Sequence, residues 1–276
     1  MLPTLNRLIR ERAPGCHQQL RRALRWWFIE SRPDIESCPA FPRKVGGAWC
    51  WLHPRFLAEP LDLEPKVQAV FRKYIQPGAT VIDIGAYVGT HTLLAASLAG
   101  ASGQVFAFEP SPSNFRYLSY HCRKNAPTRT HPFQCLVSDR AGERVPFYLL
   151  NSGDSTTNSM TFDQLKSPDT ISAPTEKIEV ESVTLDGFCA QRQLKPSFIK
   201  IDVEGAEFQV IRGGERILRE TRPVLVLALH PPWMPKDTSP QQLWDFLSAA
   251  GYDISTIEGQ PVGEPAFAEY LCLPRL

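Results

Sequence analysis

Short apolar runs alternate with amphipathic segments along most of the chain. The runs are predicted to be strands, and they lie at residues 80–84, 104–108, 132–137, 197–203 and 224–229. Val224 to Leu229 is apolar throughout rather than alternating, which is typical of a parallel strand covered on both faces. The pattern therefore predicts an α/β fold, with a mostly parallel sheet between two layers of helices.

Helix signals lie between these runs. Ser111 followed by Pro112 is an N-cap residue with proline in the first turn. Further helices are predicted to begin near Pro65 and near Pro240, and the second should end before Gly251.

Two parts of the chain depart from this pattern. Predicted strands at 144–150 and 177–183 flank a polar segment, residues 151–175, which is long for a loop and is interpreted as a lid over a ligand site. Residues 1–60 are interpreted as an N-terminal helical and hairpin extension, and residues 61–276 as the main domain.

Charge is unevenly distributed. The net charge is +1, which argues against a nucleic-acid-binding protein, but residues 1–32 contain seven Arg and two Glu. A predicted helix, Gln18 to Ile29, carries aromatic and basic residues, which would allow weak contact with a membrane surface. Docking of its apolar stripe on the main domain is the favoured interpretation.

The cellular compartment is inferred from the lack of a signal segment, a membrane span and paired cysteines in the sequence. Arg interrupts every apolar stretch near the N-terminus, and no run reaches the ~20 residues that span a bilayer. The seven cysteines are scattered without a C-x-x-C pair, which favours a reducing compartment. We expect a cytoplasmic protein.

The run Val81 to Thr90 carries the first chemical signal. A buried strand breaks at Gly85 and Gly89 and opens a helix, and the next strand ends in Glu109. A glycine turn at a helix N-terminus, followed by an acid at the next strand tip, is the layout of a nucleotide-binding half. The acid suits a ribose diol, because a carboxylate accepts hydrogen bonds from both hydroxyls.

The same run discriminates between nucleotides. A dinucleotide loop usually reads G-x-G-x-x-G, but Tyr87 occupies the central position, and Asp83 would repel a pyrophosphate. S-adenosylmethionine carries an ammonium, a sulfonium and a ribose without phosphate, so Asp83 favours it over NAD.

A second motif spans Phe198 to Glu207. A buried strand carries Lys200, and Asp202 and Glu204 follow at its carboxyl end, where ligands bind in open α/β sheets. Two neighbouring carboxylates are costly unless a ligand or a cation uses them. A purely structural ion pair with Lys200 or Arg212 is the alternative.

These motifs together resemble the FkbM-type methyltransferases, a family of class I S-adenosylmethionine-dependent enzymes. The residues that carry the resemblance are Val81 to Thr90, Phe108 to Pro110, Val137 to Asp139, and Ile199 to Glu207. The resemblance implies a Rossmann-like, mostly parallel seven-stranded sheet whose last strand is antiparallel, with 252–256 and 269–273 as the final pair. It also implies methyl transfer, usually to a hydroxyl of a sugar or natural product.

The resemblance also implies roles for single residues. Gly85 and Gly89 would shape the loop around the methionine part, with Asp83 near its ammonium, directly or through water, and Glu109 would hold the ribose. The stretch from Cys135 to Asp139 would border the adenine. The residues assigned to the cofactor are Asp83, Gly85, Ala86, Gly89, Thr90, Glu109, Pro110, Ser138, Asp139 and Asp202.

An alcohol acceptor must lose a proton, so a general base is expected. His230 is the first candidate, because it follows the strand 224–229 at the ligand-binding edge and titrates near neutral pH. Asp202 and Glu204 are the alternates, and no metal is expected. His91 is expected to pack rather than to react.

Two other readings remain open. The chain departs from the family where Tyr87 replaces a common Asn, where His91 replaces an aromatic, and where Ala228 stands at a position that is often Glu. The last departure leaves room for a non-catalytic cofactor-binding module of the same fold. An NAD(P)-dependent oxidoreductase is the other alternative. The acceptor is expected to be a small molecule or glycoconjugate.

Overall fold

The structure, a computed structural model, describes residues 34–57, 64–126, 128–150 and 176–275. Its strands are β1 Phe41–Val45, β2 Ala48–Leu52, β3 Thr80–Ile84, β4 Gln104–Phe108, β5 Thr130–Phe133, β6 Leu136–Val137, β7 Arg144–Leu149, β8 Glu176–Val183, β9 Phe198–Ile201, β10 Val224–Leu229, β11 Tyr252–Thr256 and β12 Ala268–Pro274. Its α-helices are α1 Pro65–Tyr74, α2 Thr90–Ala99, α3 Pro112–Asn125, α4 Leu185–Arg192, α5 Glu207–Arg212, α6 Glu215–Glu220 and α7 Pro240–Ala249. Short 3-10 helices lie at Ile35–Ser37, Pro54–Leu57 and Pro231–Trp233.

The main sheet has seven strands in the order β11-β12-β10-β9-β3-β4-β5. The strands from β10 to β5 are parallel, whereas β12 runs antiparallel to both β10 and β11. This arrangement confirms the predicted Rossmann-like sheet and its antiparallel final strand.

Burial explains why the apolar runs became central strands. Val81, Ile82, Phe198, Ile199 and Leu225 are completely inaccessible to solvent. Helices cover both faces of these strands, so neither face can carry polar side chains without cost.

One strand prediction was only partly right. The predicted strand 132–137 is two strands, because β5 ends at Phe133 and β6 joins a separate three-stranded sheet of order β6-β8-β7. Leu136 pairs with Ser182 rather than with β4. The predicted strands at 144–150 and 177–183 correspond to β7 and β8, which pair antiparallel.

The start of α3 has the predicted cap. The Ser111 hydroxyl accepts a hydrogen bond from the Asn114 amide, and Pro112 occupies the first turn of α3. Ser239 caps α7 in a reciprocal capping box with Gln242. None of the helices in the described ranges has the length and apolarity needed to cross a bilayer.

The described part of the extension packs on the main domain. Strands β1 and β2 form the predicted hairpin, and Leu52 and Phe56 share an apolar cluster with Val88 and Leu93. The predicted helix 18–29 and the predicted lid 151–175 lie outside the described residues.

Candidate active site

A cavity of about 770 Å³ opens at the carboxyl ends of β3, β4, β9 and β10. This edge is where ligands bind in open α/β sheets, and the volume is within the range of small-molecule sites. The residues that line it near β4 include Phe108, Glu109, Pro110, Asn114, Leu136, Val137 and Phe147. The residues that line it near β10 and β12 include Glu204, Ala228, Leu229, His230, Phe267 and Glu269.

Gly85 is the first residue of the turn after β3. Its φ is +78°, and a Cβ atom there would lie 1.7 Å from the carbonyl oxygen of Asp202. The amides of Gly85 and Ala86 both donate to the Phe108 carbonyl. The turn is therefore hydrogen-bonded to β4 on one side and packed against the residues that follow β9 on the other. Only glycine fits at position 85, because any side chain would collide with this backbone.

Glu109 is buried at the tip of β4 with both carboxylate oxygens held. Oε2 accepts the Tyr87 amide and Oε1 accepts the Ser111 amide, each at 2.9 Å. Burial raises the pKa of Glu109 to about 7 against the opposing effect of these hydrogen bonds. Oε1 also accepts the Asn114 side-chain amide in a long contact of 3.5 Å, which a ligand hydroxyl can replace. Oε2 keeps a second lone pair for a neighbouring ligand hydroxyl.

Asp83 is buried within β3 and does not line the cavity. Its Oδ2 accepts the Thr92 hydroxyl at 2.6 Å. Burial raises the pKa of Asp83, although the charge of Lys200 opposes this. Oδ1 has no hydrogen-bond partner within the described ranges, so an indirect contact with a ligand through water stays a prediction.

The other residues assigned to the cofactor fall into two groups. Ala86, Thr90 and Pro110 line the cavity. Gly89 begins α2 with φ +94°, and a Cβ there would meet Leu118 of α3 at 2.8 Å.

Ser138 and Asp139 do not line the cavity. Asp139 forms an ion pair with Arg212, and the Ser138 carbonyl lies against Gly213. The stretch reaches the cavity through Cys135, Leu136 and Val137 instead. A binding role for Ser138 and Asp139 stays a prediction.

Lys200 and Asp202 form a buried ion pair beside the glycine turn. The Lys200 Nζ lies 2.9 Å from Asp202 Oδ2, and Lys200 is paired in register with Asp83 on β3. Burial alone would lower the pKa of Lys200, but the nearby carboxylates of Asp202, Asp83 and Glu64 hold it above its usual value. Burial alone would raise the pKa of Asp202. The charge of Lys200 outweighs this effect of burial, so the pKa of Asp202 lies below its usual value.

His230 follows β10 and lines the cavity. Its Nδ1 lies 2.7 Å from Oε1 of Glu207, which is completely buried and also accepts the Gly205 amide. An ionised carboxylate only accepts hydrogen bonds, so the proton lies on Nδ1 in neutral His230. The ring stacks on Trp233 with a centroid separation of 5.0 Å.

Two more carboxylates face the other nitrogen of His230. Nε2 lies 3.8 Å from Asp202 Oδ1 and 3.7 Å from Glu204 Oε2. Burial would lower the pKa of His230, but the hydrogen bond and charge of Glu207, with Glu204 and Asp202, raise it above its usual value.

Glu204 reaches the cavity from a strained turn. Its φ is +55°, which is uncommon for a residue with a side chain. The next residue, Gly205, has φ +104°, and a Cβ there would lie 2.1 Å from the Trp233 carbonyl oxygen. Burial raises the pKa of Glu204 to about 8.

Asp202, Glu204 and His230 each offer a ligand atom, and these atoms lie within 4.8 Å of one another. Such a set has the geometry to hold a metal ion. However, the Lys200 ammonium already neutralises Asp202, which weakens the affinity of the group for a cation. The expectation that no metal is used stays a prediction.

Sequence reasoning placed Asp202, Glu204 and His230 in one site, and the structure brings them together. It missed Glu207, although this residue closes the Ile199-to-Glu207 motif. It also missed Glu64, whose Oε2 lies 3.1 Å from His91 Nε2 in the cavity wall. His91 itself both lines the cavity and packs against Phe71, and burial lowers its pKa to about 3.

The sequence profile of the family described as the methyltransferase FkbM domain matches residues 83–254, which is more than half of the chain. This range contains the glycine turn, Glu109, the residue 202–207 cluster and His230.

Two curated proteins are similar to just over half of the chain. The hexuronic acid methyltransferase AglP of Haloferax volcanii is 29% identical over 157 residues, covering 57% of this chain and 58% of that protein. The 2-O-methyltransferase NoeI of Sinorhizobium fredii is 29% identical over 156 residues, covering 53% of this chain and 62% of that protein. The chain thus spans about three fifths of the length of these relatives.

Among solved structures, the methyltransferase FkbM of Methylobacillus flagellatus aligns with 77% of this chain and 54% of its own, at 17% identity and a TM-score of 0.44.

Proposed function

Since the chain belongs to the methyltransferase FkbM domain family, we propose that it transfers a methyl group from S-adenosylmethionine to a hydroxyl of a sugar or glycoconjugate. The observation that carries the proposal is one cavity that contains both Glu109 and His230. The tips of β4 and β10 are three strand spacings apart, about 14 Å, which leaves room for a donor and an acceptor side by side.

The residues near β4 fit the donor. Glu109 presents two oxygens whose orientation is fixed by backbone amides, as a ribose diol requires. Phe108, Leu136 and Val137 give an apolar wall for a flat base. When bound, S-adenosylmethionine supplies a methyl group on a positively charged sulfur, which is already an activated leaving group.

The residues near β10 fit an acceptor hydroxyl. Glu207 holds the proton of His230 on Nδ1, which directs the lone pair of Nε2 toward the cavity. A hydroxyl that reaches Nε2 can therefore give up its proton there, and a positioned base contributes about 10²–10⁴ in rate. Asp202 lies within 4 Å of this nitrogen and stabilises the imidazolium that results. Glu204 lies at a similar distance and adds to this effect when it is ionised, above its raised pKa of about 8.

The relatives support a sugar as acceptor. By their names, one methylates a hexuronic acid and the other a 2-hydroxyl group. The same matches weigh against an NAD(P)-dependent oxidoreductase. The buried Glu207–His230 pair weighs against a non-catalytic module, because such a module has no need for an oriented imidazole. Location in the cytoplasm and weak membrane contact of residues 1–32 stay predictions.

The test begins with calorimetric titration of the purified chain with S-adenosylhomocysteine and, separately, with NAD. Radiolabelled methyl transfer from S-adenosylmethionine to a panel of p-nitrophenyl glycosides follows, for the wild type and for His230→Ala. We expect S-adenosylhomocysteine to bind and NAD not to bind. The variant should retain that binding and lose transfer.

Three results would each contradict one part of the proposal. NAD binding without S-adenosylhomocysteine binding would favour an oxidoreductase. Tight S-adenosylhomocysteine binding without transfer to any glycoside would remove the sugar acceptor. Unchanged turnover of His230→Ala would remove His230 as the base while leaving methyl transfer intact.

A further inference from the structure

Glu269 of β12 lies directly opposite Ala228 of β10. The two strands are antiparallel, and Ala228 and Glu269 are partners in their register. Opposed residues in an antiparallel pair project from the same face, with Cβ atoms about 4.5–5.5 Å apart. Both residues line the cavity, so the carboxylate of Glu269 extends over the space that the short Ala228 side chain leaves open.

Within the part of the chain that the structure describes, no hydrogen bond or ion pair holds the side-chain carboxylate of Glu269, which senses its neighbours only through burial and charge. The neighbouring acids differ in this respect, since Asp202 pairs with Lys200 and Glu64 with His91. A partly buried carboxylate without a partner is costly, and a ligand that donates to it removes that cost.

Phe267 stands two residues before Glu269 and also lines the cavity. Its side chain is 58% exposed, and its ring meets His230 edge-on at a centroid separation of 5.0 Å. An aromatic ring beside a free carboxylate suits a sugar ring, which presents C–H groups to the ring and hydroxyls to the acid. The ring of Phe267 lies directly beside the proposed base.

The acidic residues on this side of the cavity disfavour one class of sugar. Four carboxylates line it, those of Glu64, Asp202, Glu204 and Glu269, against the single lysine Lys200 among the described lining residues. That lysine is already bound to Asp202. Burial raises the pKa of Glu204 to about 8 and that of Glu269 to about 7, so the cluster carries its full negative charge only above these values. A uronate would bring another negative charge into the cluster, and the repulsion should be strongest in that alkaline range, where His230 is also neutral.

We propose that Glu269 binds a hydroxyl or amino group of the acceptor and makes the site select neutral or amine-bearing sugars over uronic acids. This inference rests on the proposed sugar O-methyltransferase function. Glu269 acts here as a specificity-determining residue, whereas proton removal stays with His230. The residue lies beyond the family match at 83–254, in a strand that the family profile does not cover.

The raised pKa of Glu269 agrees with this role. Burial, and then the charges of Glu64 and Asp202, raise its pKa to about 7. A hydroxyl or ammonium donor would stabilise the ionised form and lower that pKa on binding.

Moving the carboxylate across the strand pair tests the proposal. Initial rates would be measured with p-nitrophenyl glycosides of a neutral hexose, a 6-deoxyhexose, a hexosamine and a hexuronic acid. The proteins are the wild type, Glu269→Ala, Glu269→Gln and the relocated double variant Ala228→Glu with Glu269→Ala. Glu264→Gln, an exposed acid in the same part of the chain, is the control.

We expect Glu269→Ala to lower kcat/KM for the preferred neutral or amino sugar about tenfold or more, chiefly through KM, as for a lost charge-assisted hydrogen bond. The affinity for S-adenosylhomocysteine should not change. The relocated variant should recover most of the loss, because its carboxylate returns to the same face of the sheet. Glu269→Gln should raise the rate with the uronic acid relative to the neutral sugar, and Glu264→Gln should match the wild type.

Equal rates for the wild type and Glu269→Ala would overturn the inference and leave the proposed function standing. Preference of the wild type for the uronic acid would overturn the selectivity. If the wild type binds S-adenosylhomocysteine and methylates no glycoside, the sugar acceptor fails, and the role of Glu269 fails with it.

Discussion

Glu207 fixes the orientation of His230 from a position that solvent cannot reach, through a 2.7 Å contact between Oε1 and Nδ1. The Gly205 amide donates to the same oxygen at 2.9 Å. Because Glu207 is held by the backbone, it acts on the proposed base as a positioning residue, without touching a ligand itself.

Glu207→Gln should therefore reduce kcat by about 10²-fold, the lower end of what a general base contributes, with little change in S-adenosylhomocysteine affinity. It should also shift the pH profile. Glu207 helps to raise the pKa of His230, and a base must be neutral, so the wild-type rate rises as pH increases through that raised pKa. Removing the charge lowers the pKa and moves this limb to lower pH. A lower rate with an unmoved limb would indicate a merely structural role.

Gly85→Ala should unfold the turn between β3 and α2. A Cβ there would lie 1.7 Å from the Asp202 carbonyl oxygen, so the backbone itself must shift. Gly142 is a matched control, because its φ of +76° is almost the same and it has open space around it. Gly142→Ala should cost only the ~1–2 kcal/mol of left-handed backbone. Urea unfolding should give a clearly larger loss for Gly85→Ala, and equal losses would contradict the close contact.

Glu109→Gln should weaken S-adenosylhomocysteine binding about tenfold or more, since a charged acceptor of two hydrogen bonds is lost. The wild-type affinity should also depend on pH. Burial raises the pKa of Glu109 to about 7, and the ionised form is the better acceptor, so binding should tighten as pH rises through 7. Calorimetry between pH 6 and pH 8 checks this, and the variant should lack that dependence. A pH-independent wild type would argue against Glu109 as the ribose ligand.

Lys200→Met should destabilise the fold by about 3–5 kcal/mol, because it leaves buried carboxylates without their cation. Lys200 interacts with Asp202, Asp83 and Glu64. The exposed ion pair of Lys66 with Glu258 is the control, and Lys66→Met should leave the denaturation midpoint almost unchanged. Similar midpoints for the two variants would show that the buried network carries little stability.

The sequence was sufficient to predict those strands and helices whose positions are decided by burial and capping alone. The bounds of β10 could be predicted from its uninterrupted apolar run, and those of β3 from a run that is apolar from Val81 to Ile84 except at Asp83. Ser111 and Pro112 predicted the start of α3. The split after Phe133 could not be predicted, because the partner of Leu136 on β8 is decided by the three-dimensional path of the chain.

The same distinction separates the site residues that could be predicted from those that could not. Asp202, Glu204 and His230 could be assigned to one place because strand tips of a parallel sheet share an edge. Glu207 escaped prediction because helical and turn geometry, not strand position, turns its carboxylate toward His230. Glu269 escaped because its proximity to Ala228 depends on the register of two strands about 40 residues apart in the chain.

The pairing of β3 with β9 closes the longest loop in the main sheet. Val81 pairs with Phe198, more than 100 residues further along the chain, whereas the other strands that pair with β10 and β11 lie less than 50 residues away. Strand pairing over a long separation closes slowly. We therefore expect the glycine turn and the residues that follow β9 to meet late in folding, so that the donor half and the acceptor half of the cavity come together only at that step.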